Sequence, residues 1–213
     1  MAMNPIIQAQ LKSFKQTNPN GYKDDAEAFE VMSIFAVENG ILGENIDPFK
    51  VHLKGDEFGV DGIAINIQGT LCTDEDEATS VLSVGKNHAA AFHFFQSKTS
   101  DSMDYGNVGK FLDAVYDFFT DMELLSGDQI EDLGSARDIV FETATKSNPE
   151  LRCYYCTTGT GEISSPIKTL IESNKERLEN LNVFSHISIE CLGAKDLQNG
   201  FRAATNSISS TIN

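Results

Sequence analysis

The strongest constraint on this chain is a change of hydrophobic period past residue 150. Residues 151–157 (LRCYYCT) read as a strand and 166–181 as a helix with Pro166 in its first turn. Residues 183–191 read as a second strand and 194–204 as a second helix. Two earlier segments also read as strands: 60–67 (VDGIAINI), which alternates, and 90–98 (AAFHFFQSK), dense in aromatics. Ahead of them lie two helical stretches. Residues 4–16 carry Ile6, Ile7, Leu11 and Phe14 at helical spacing and stop before Asn18-Pro19-Asn20-Gly21. The next helix starts at Asp24 with a capping acid, Glu27, and is expected to end at Gly40 and Gly43. Residues 69–89 are acidic and polar, and read as a hairpin excursion with about one helical turn. Helices are expected over 107–125 and 129–146. Helices first, then a hairpin, then alternating units predict an α/β fold: one mixed sheet with helices on both faces.

Length and composition narrow the classes further. The 213 residues are enough to bury a sizeable core without disulfide or metal staples. We read 1–204 as a single domain, with a core of about 24–158, further strand–helix units over 159–204, and a polar tail at 205–213 that is a candidate linker. No stretch approaches 18 uncharged apolar residues, so no membrane-spanning helix is expected, and the first residues lack the pattern of a secretory leader. Four cysteines without a small-scaffold pattern fit reduced thiols in a cytoplasmic protein. The net charge is −16. Nine carboxylates between Asp101 and Asp132 face one base, Lys110. Such a surface repels phosphate, so a nucleic-acid reading needs a local positive funnel, a metal-neutralised site, or a basic partner protein or downstream domain.

The chemistry concentrates in two short stretches, Gly55-Asp56-Glu57-Phe58-Gly59-Val60-Asp61-Gly62-Ile63 and Phe95-Gln96-Ser97-Lys98. Gln96 and Lys98 are two apart on one strand, so their side chains leave the same face. If the strands at 60–67 and 90–98 pair, Asp61, an amide and an ammonium meet at one sheet end. Oxygen ligands there suit Mg²⁺, which takes one or two carboxylates and keeps several waters. A lysine beside the ion can orient water and stabilise charge on a phosphoryl oxygen.

An aspartate followed by a strand ending in Gln-x-Lys resembles the PD-(D/E)xK nuclease superfamily, in the variant of Mrr-like restriction endonucleases. More closely, GVDGIAINI, FHFFQSKTS and NVGKFLDAV resemble the N-terminal part of the AIPR (abortive infection phage resistance) family, as do LRCYYCTTGTGE and ECLGAKDLQNGF. The resemblance spans about residues 26–201. It implies a restriction-endonuclease-like fold and a Mg²⁺- or Mn²⁺-dependent endonuclease of bacterial antiphage defence. DNA is the first substrate implied and RNA the second, and a homo-oligomer stays open. Residue by residue, it implies Asp61 as the metal-binding aspartate and Lys98 as the catalytic lysine. Gln96 stands where many relatives carry an acid. Glu30 matches the helical glutamate, with Glu27 one turn away as fallback, and Glu57 matches an acidic position four before Asp61. The metal shell so implied is Glu30, Asp61, Gln96 and the Ser97 carbonyl. A neutral Gln96 also supports a rival: a catalytically silent module of the same fold that senses or binds a partner.

Other motifs have plainer readings. Cys153 and Cys156 lie three apart on a strand and so point to opposite faces, which leaves buried thiols rather than a zinc pair. Thr157-Thr158-Gly159-Thr160-Gly161 lacks the Lys-Ser/Thr of a phosphate loop and reads as an ordinary strand-to-helix turn. His52, His88, His93 and His186 show no ligand spacing, and His93 is expected to pack within its strand.

Overall fold

The computed structural model describes residues 3–19, 21–55, 58–84, 89–143 and 147–211. Helix α1 (Pro5–Thr17) is capped by the Asn4 side chain and buries Ile7, Leu11 and Phe14. In α2 (Asp25–Phe35) the Asp24 carboxylate accepts from the N–H groups of Ala26 and Glu27, and Glu27 accepts from the Lys23 N–H. Helix α2 runs on as a π-helical stretch, Ala36–Leu42, and stops at Gly43, whose φ is +72°. Gly40 does not end it. A Cβ there would lie 1.9 Å from the Gly200 carbonyl oxygen, so this glycine is where a later helix crosses in close contact. A one-turn helix, α3 (Pro48–Val51), follows, which no sequence pattern announces.

The sheet has five strands in the order β2-β1-β3-β4-β5: β1 (Gly62–Ile67), β2 (Thr70–Cys72), β3 (Ala90–Lys98), β4 (Glu150–Thr157) and β5 (His186–Leu192). Strand β1 is antiparallel to both β2 and β3, while β3, β4 and β5 run parallel. The expected mixed α/β sheet is thus present, with the segments at 60–67 and 90–98 paired in the register Gly62↔Phe95 to Ile67↔Ala90. The excursion after β1 is more ordered than expected. Gln68 and Gly69, at φ +54° and +79°, make a two-residue turn into β2. Helix α4 (Glu75–Leu82), capped by Asp74, then runs two turns.

Side chains alternate between two apolar layers. Ile63, Ile65, Ile67, Phe92, Phe94, Cys153 and Tyr155 pack against α4, α5 (Tyr105–Phe118), α6 (Asp128–Thr143) and α7 (Ser165–Glu179). Ala64, Phe95, Tyr154 and Cys156 pack on the opposite side, against α1, α2 and α8 (Ala194–Thr211). The helix expected over 107–125 stops at Phe118. Buried Asp117 accepts from the N–H groups of Glu123, Leu124 and Leu125, an alternative to helical pairing that turns the chain. Residues 205–211, expected as a polar tail, continue α8 instead. No described helix is long and apolar enough to cross a membrane.

Candidate active site

Two backbone hydrogen bonds fix Asp61 at the mouth of β1. Its N–H donates to the Phe95 carbonyl (2.8 Å), and its own carbonyl accepts from the Leu53 N–H (2.9 Å). The side chain is held as firmly. Oδ2 accepts from the Ser97 backbone N–H at 2.6 Å and from Gln96 Nε2 at 2.5 Å. The strand register thus brings residues 35 and 36 positions apart onto one carboxylate oxygen.

Glu30 comes from α2. It lies one turn before Ile34, and the approach of α2 at this point depends on Gly62: a Cβ there would meet Ile34 Cδ1 at 2.8 Å and the Val51 carbonyl at 3.2 Å. Glu30 Oε2 lies 3.0 Å from His52 Nε2, and the His52 ring is nearly buried. Lys98, at the end of β3, completes the group. Glu30, His52, Asp61 and Lys98 line one cleft of about 570 Å³.

The electrostatics follow from this crowding. Burial, and next the charge of Glu30, push the Asp61 carboxyl up from its ordinary 3.8 to about 7. Lys98, the Ser97 N–H and His52 pull in the other direction without offsetting the rise. Two carboxylates sharing a partly enclosed site repel each other, which is part of the rise at Asp61. A divalent cation with oxygen preference would relieve that repulsion, since Mg²⁺ binds through one or two carboxylates and keeps its remaining waters. Among the described residues, no group of three or more His, Cys, Asp and Glu side chains gathers as a metal cluster. Glu30 and Asp61, with water, are the donors on the cleft lining; Gln96 and the Ser97 carbonyl, which the resemblance adds to the shell, do not line it, and the Gln96 amide is turned to Asp61 and to that carbonyl.

No family model, curated protein or solved structure matches this chain. The resemblance to restriction-endonuclease-like proteins rests on the motifs quoted above.

Of the expected site residues, the fold brings Glu30, Asp61 and Lys98 to the cleft. Gln96 and Ser97 stand behind Asp61, almost fully buried, and in this structure the Gln96 amide donates to the carboxylate. Glu27 lines the cleft but is occupied with capping α2. Glu57 falls outside the described residues. Three residues join the site that the motifs did not single out: His52, Lys54 and Lys23. His52 reaches it through an antiparallel bridge to Gly62, a pairing that no local spacing announces.

The rival features resolve plainly. Cys153 and Cys156 lie fully buried in opposite layers, as free thiols. The loop after β4 is spent on packing: Thr158 N–H donates to the Ser100 carbonyl, Thr158 Oγ1 to the Thr99 carbonyl, and the Gly159 carbonyl accepts from Ala194 N–H. His93 packs in its strand, with Nδ1 2.8 Å from Glu38 Oε1 and both side chains buried.

Proposed function

We propose that this protein is a metal-dependent phosphodiesterase acting on nucleic acid, DNA first, in bacterial antiphage (abortive infection) defence. The observation that carries the reading is the convergence on one cleft of Glu30 from α2, Asp61 just before β1 and Lys98 at the end of β3. The Asp-then-Gln-x-Lys motif and the resemblance to the AIPR family support it from the sequence side. Lys23, Lys54 and Lys98 line the cleft, and none makes an ion pair with another described residue, so their charge is available to phosphate oxygens. The four free thiols suit a reducing cytoplasm.

In this reading Glu30 and Asp61 hold Mg²⁺ or Mn²⁺, which when bound lowers the pKa of a water and polarises the phosphoryl oxygens. Asp61 is kept in one orientation by the Ser97 N–H and the Gln96 amide, so no rearrangement is needed as charge develops. The Lys98 ammonium orients the attacking water and stabilises the phosphoryl oxygens. Lys23 and Lys54, on the cleft lining, neutralise neighbouring phosphates.

The test is cleavage of DNA and RNA with Mg²⁺ or Mn²⁺ by the wild type, Lys98→Ala and Asp61→Ala. The expected result is loss of cleavage by about 100-fold or more in both variants; equal cleavage by all three removes the mechanism. A second reading, a silent module of the same fold that senses or binds a partner, draws on the neutral Gln96 and the net charge of −16. Calorimetry separates the two. A folded protein that takes up no Mg²⁺ in the millimolar range belongs to the second.

A further inference from the structure

His52 is fixed by its backbone more tightly than a loop residue needs to be. Its N–H donates to the Pro48 carbonyl (3.0 Å), and its carbonyl accepts from Gln129 Nε2 (3.2 Å). It bridges to Gly62, and the adjacent Leu53 N–H donates to the Asp61 carbonyl. His52 therefore extends the sheet on one side of β1, while Gln96 adjoins β1 on the other. The two residues flank Asp61, and each contacts one carboxylate of the site: Gln96 holds Asp61, and the His52 ring holds Glu30 at 3.0 Å.

Glu30 needs such a tie. It projects from a helix on a long side chain with about a quarter of its surface exposed, and free rotation would spread its carboxylate over several positions. We propose that His52 is a positioning residue for Glu30: its Nε2–H holds Oε2 and leaves the other carboxylate oxygen for a divalent cation in the cleft. Outer partners of this kind affect metal affinity by about 10- to 100-fold when removed. The role rests on the metal-dependent reading above and goes beyond it, because no motif in the sequence assigns anything to residue 52.

The experiment is calorimetric titration of Mn²⁺ alone into the wild type, His52→Leu, His52→Gln, Glu30→Gln and the double variant His52→Leu/Glu30→Gln. Urea unfolding of each runs alongside. His52→Leu is expected to weaken Mn²⁺ binding about tenfold or more. His52→Gln, whose amide can donate in place of the ring N–H, is expected to stay within about threefold of wild type. In the Glu30→Gln background the leucine substitution is expected to add nothing, which a general loosening of the fold would not produce. If His52→Leu does not fold, His52→Asn, too short to reach Glu30, takes its place in the cycle. A wild type that binds Mn²⁺ while the His52 variants bind it equally well overturns this role alone, as does an equal loss in both Glu30 backgrounds. A folded wild type that binds no Mn²⁺ removes the metal-dependent reading and this role with it.

Discussion

Asp61→Asn should stabilise the metal-free protein, by an amount set by pH. A native carboxyl that titrates near 7, against 3.8 when unfolded, holds a proton the unfolded chain has already lost. Over that window the native state binds more protons, so stability falls as pH rises from about 4 to about 7 and then levels off. The rise from 3.8 to about 7 corresponds to about 4 kcal/mol, an upper figure because the Asp61 carboxyl is coupled to the charges around it. Asparagine keeps the shape, and its oxygen can still accept from the Ser97 N–H and the Gln96 amide, yet it carries no charge to desolvate. The assay is urea unfolding in EDTA at pH 4.5, 6 and 7.5, comparing wild type with Asp61→Asn so that other titrating groups cancel. At pH 4.5 the variant should lead by only about 0.4 M, since about 1 kcal/mol of the difference has developed by then. At pH 7.5 the variant should lead by about 1–2 M urea, for a slope of about 2–3 kcal/mol per molar. A difference that stays flat across the series, or a wild type that gains on the variant as pH rises, refutes the account of Asp61 as an unwillingly buried charge.

Two further outcomes follow from the same structure. Gly62→Ala should destabilise the fold by about 1–3 kcal/mol in urea, because its methyl group meets Ile34 Cδ1 and the Val51 carbonyl. It should also weaken Mn²⁺ uptake, since α2 carries Glu30 away as it moves; unchanged affinity would detach Glu30 from the site. In the native state at pH 8, Ellman's reagent should label Cys191 slowly, because burial pushes its thiol up to about 11. Cys72, Cys153 and Cys156, all fully buried, should stay unlabelled until urea is added. Rapid native labelling of any of these three would contradict their place in the core.

The architecture was readable wherever a segment's period was tied to its burial. Residues 90–98 read as one strand and form β3 with those same ends, because alternate side chains enter two apolar layers. Helix ends were readable where a local cap decides them, as at Asp24, and unreadable where a tertiary partner does. Asp117 halts α5 through three backbone N–H groups that a sequence pattern does not advertise, and Gly40 looked like a stop because its partner, Gly200, is 160 residues away. The same division runs through the cleft. Asp61, Gln96 and Lys98 sit on paired strands whose register follows from alternation, so their meeting could be anticipated. Glu30 was placed by resemblance, while His52 reaches the cleft through a single bridge at a sheet edge.

The net charge of −16 argues against a phosphate ligand only if charge is spread evenly, and it is not. Several carboxylates of the acidic run have local structural work: Asp104 caps α5, Asp117 ties the following turn, and Asp113 pairs with Arg177. The cleft instead collects Lys23, Lys54 and Lys98 against Asp24, Glu27, Glu30 and Asp61, of which Asp24 accepts from the N–H groups of Ala26 and Glu27, and Glu27 from the Lys23 N–H. With Asp61 part-protonated near neutral pH, that lining is close to balanced, and a bound divalent cation would make it positive. An anionic strand would then meet a favourable potential at the cleft, while the acidic surroundings oppose binding beside it. Screening decides whether this holds. Over a Debye length of about 8 Å at physiological salt, contacts within the cleft survive and the distant carboxylates are largely masked. Metal-dependent binding of a short oligonucleotide should therefore weaken only modestly as salt is raised. A steep salt dependence would instead point to many phosphate contacts across a surface wider than the cleft.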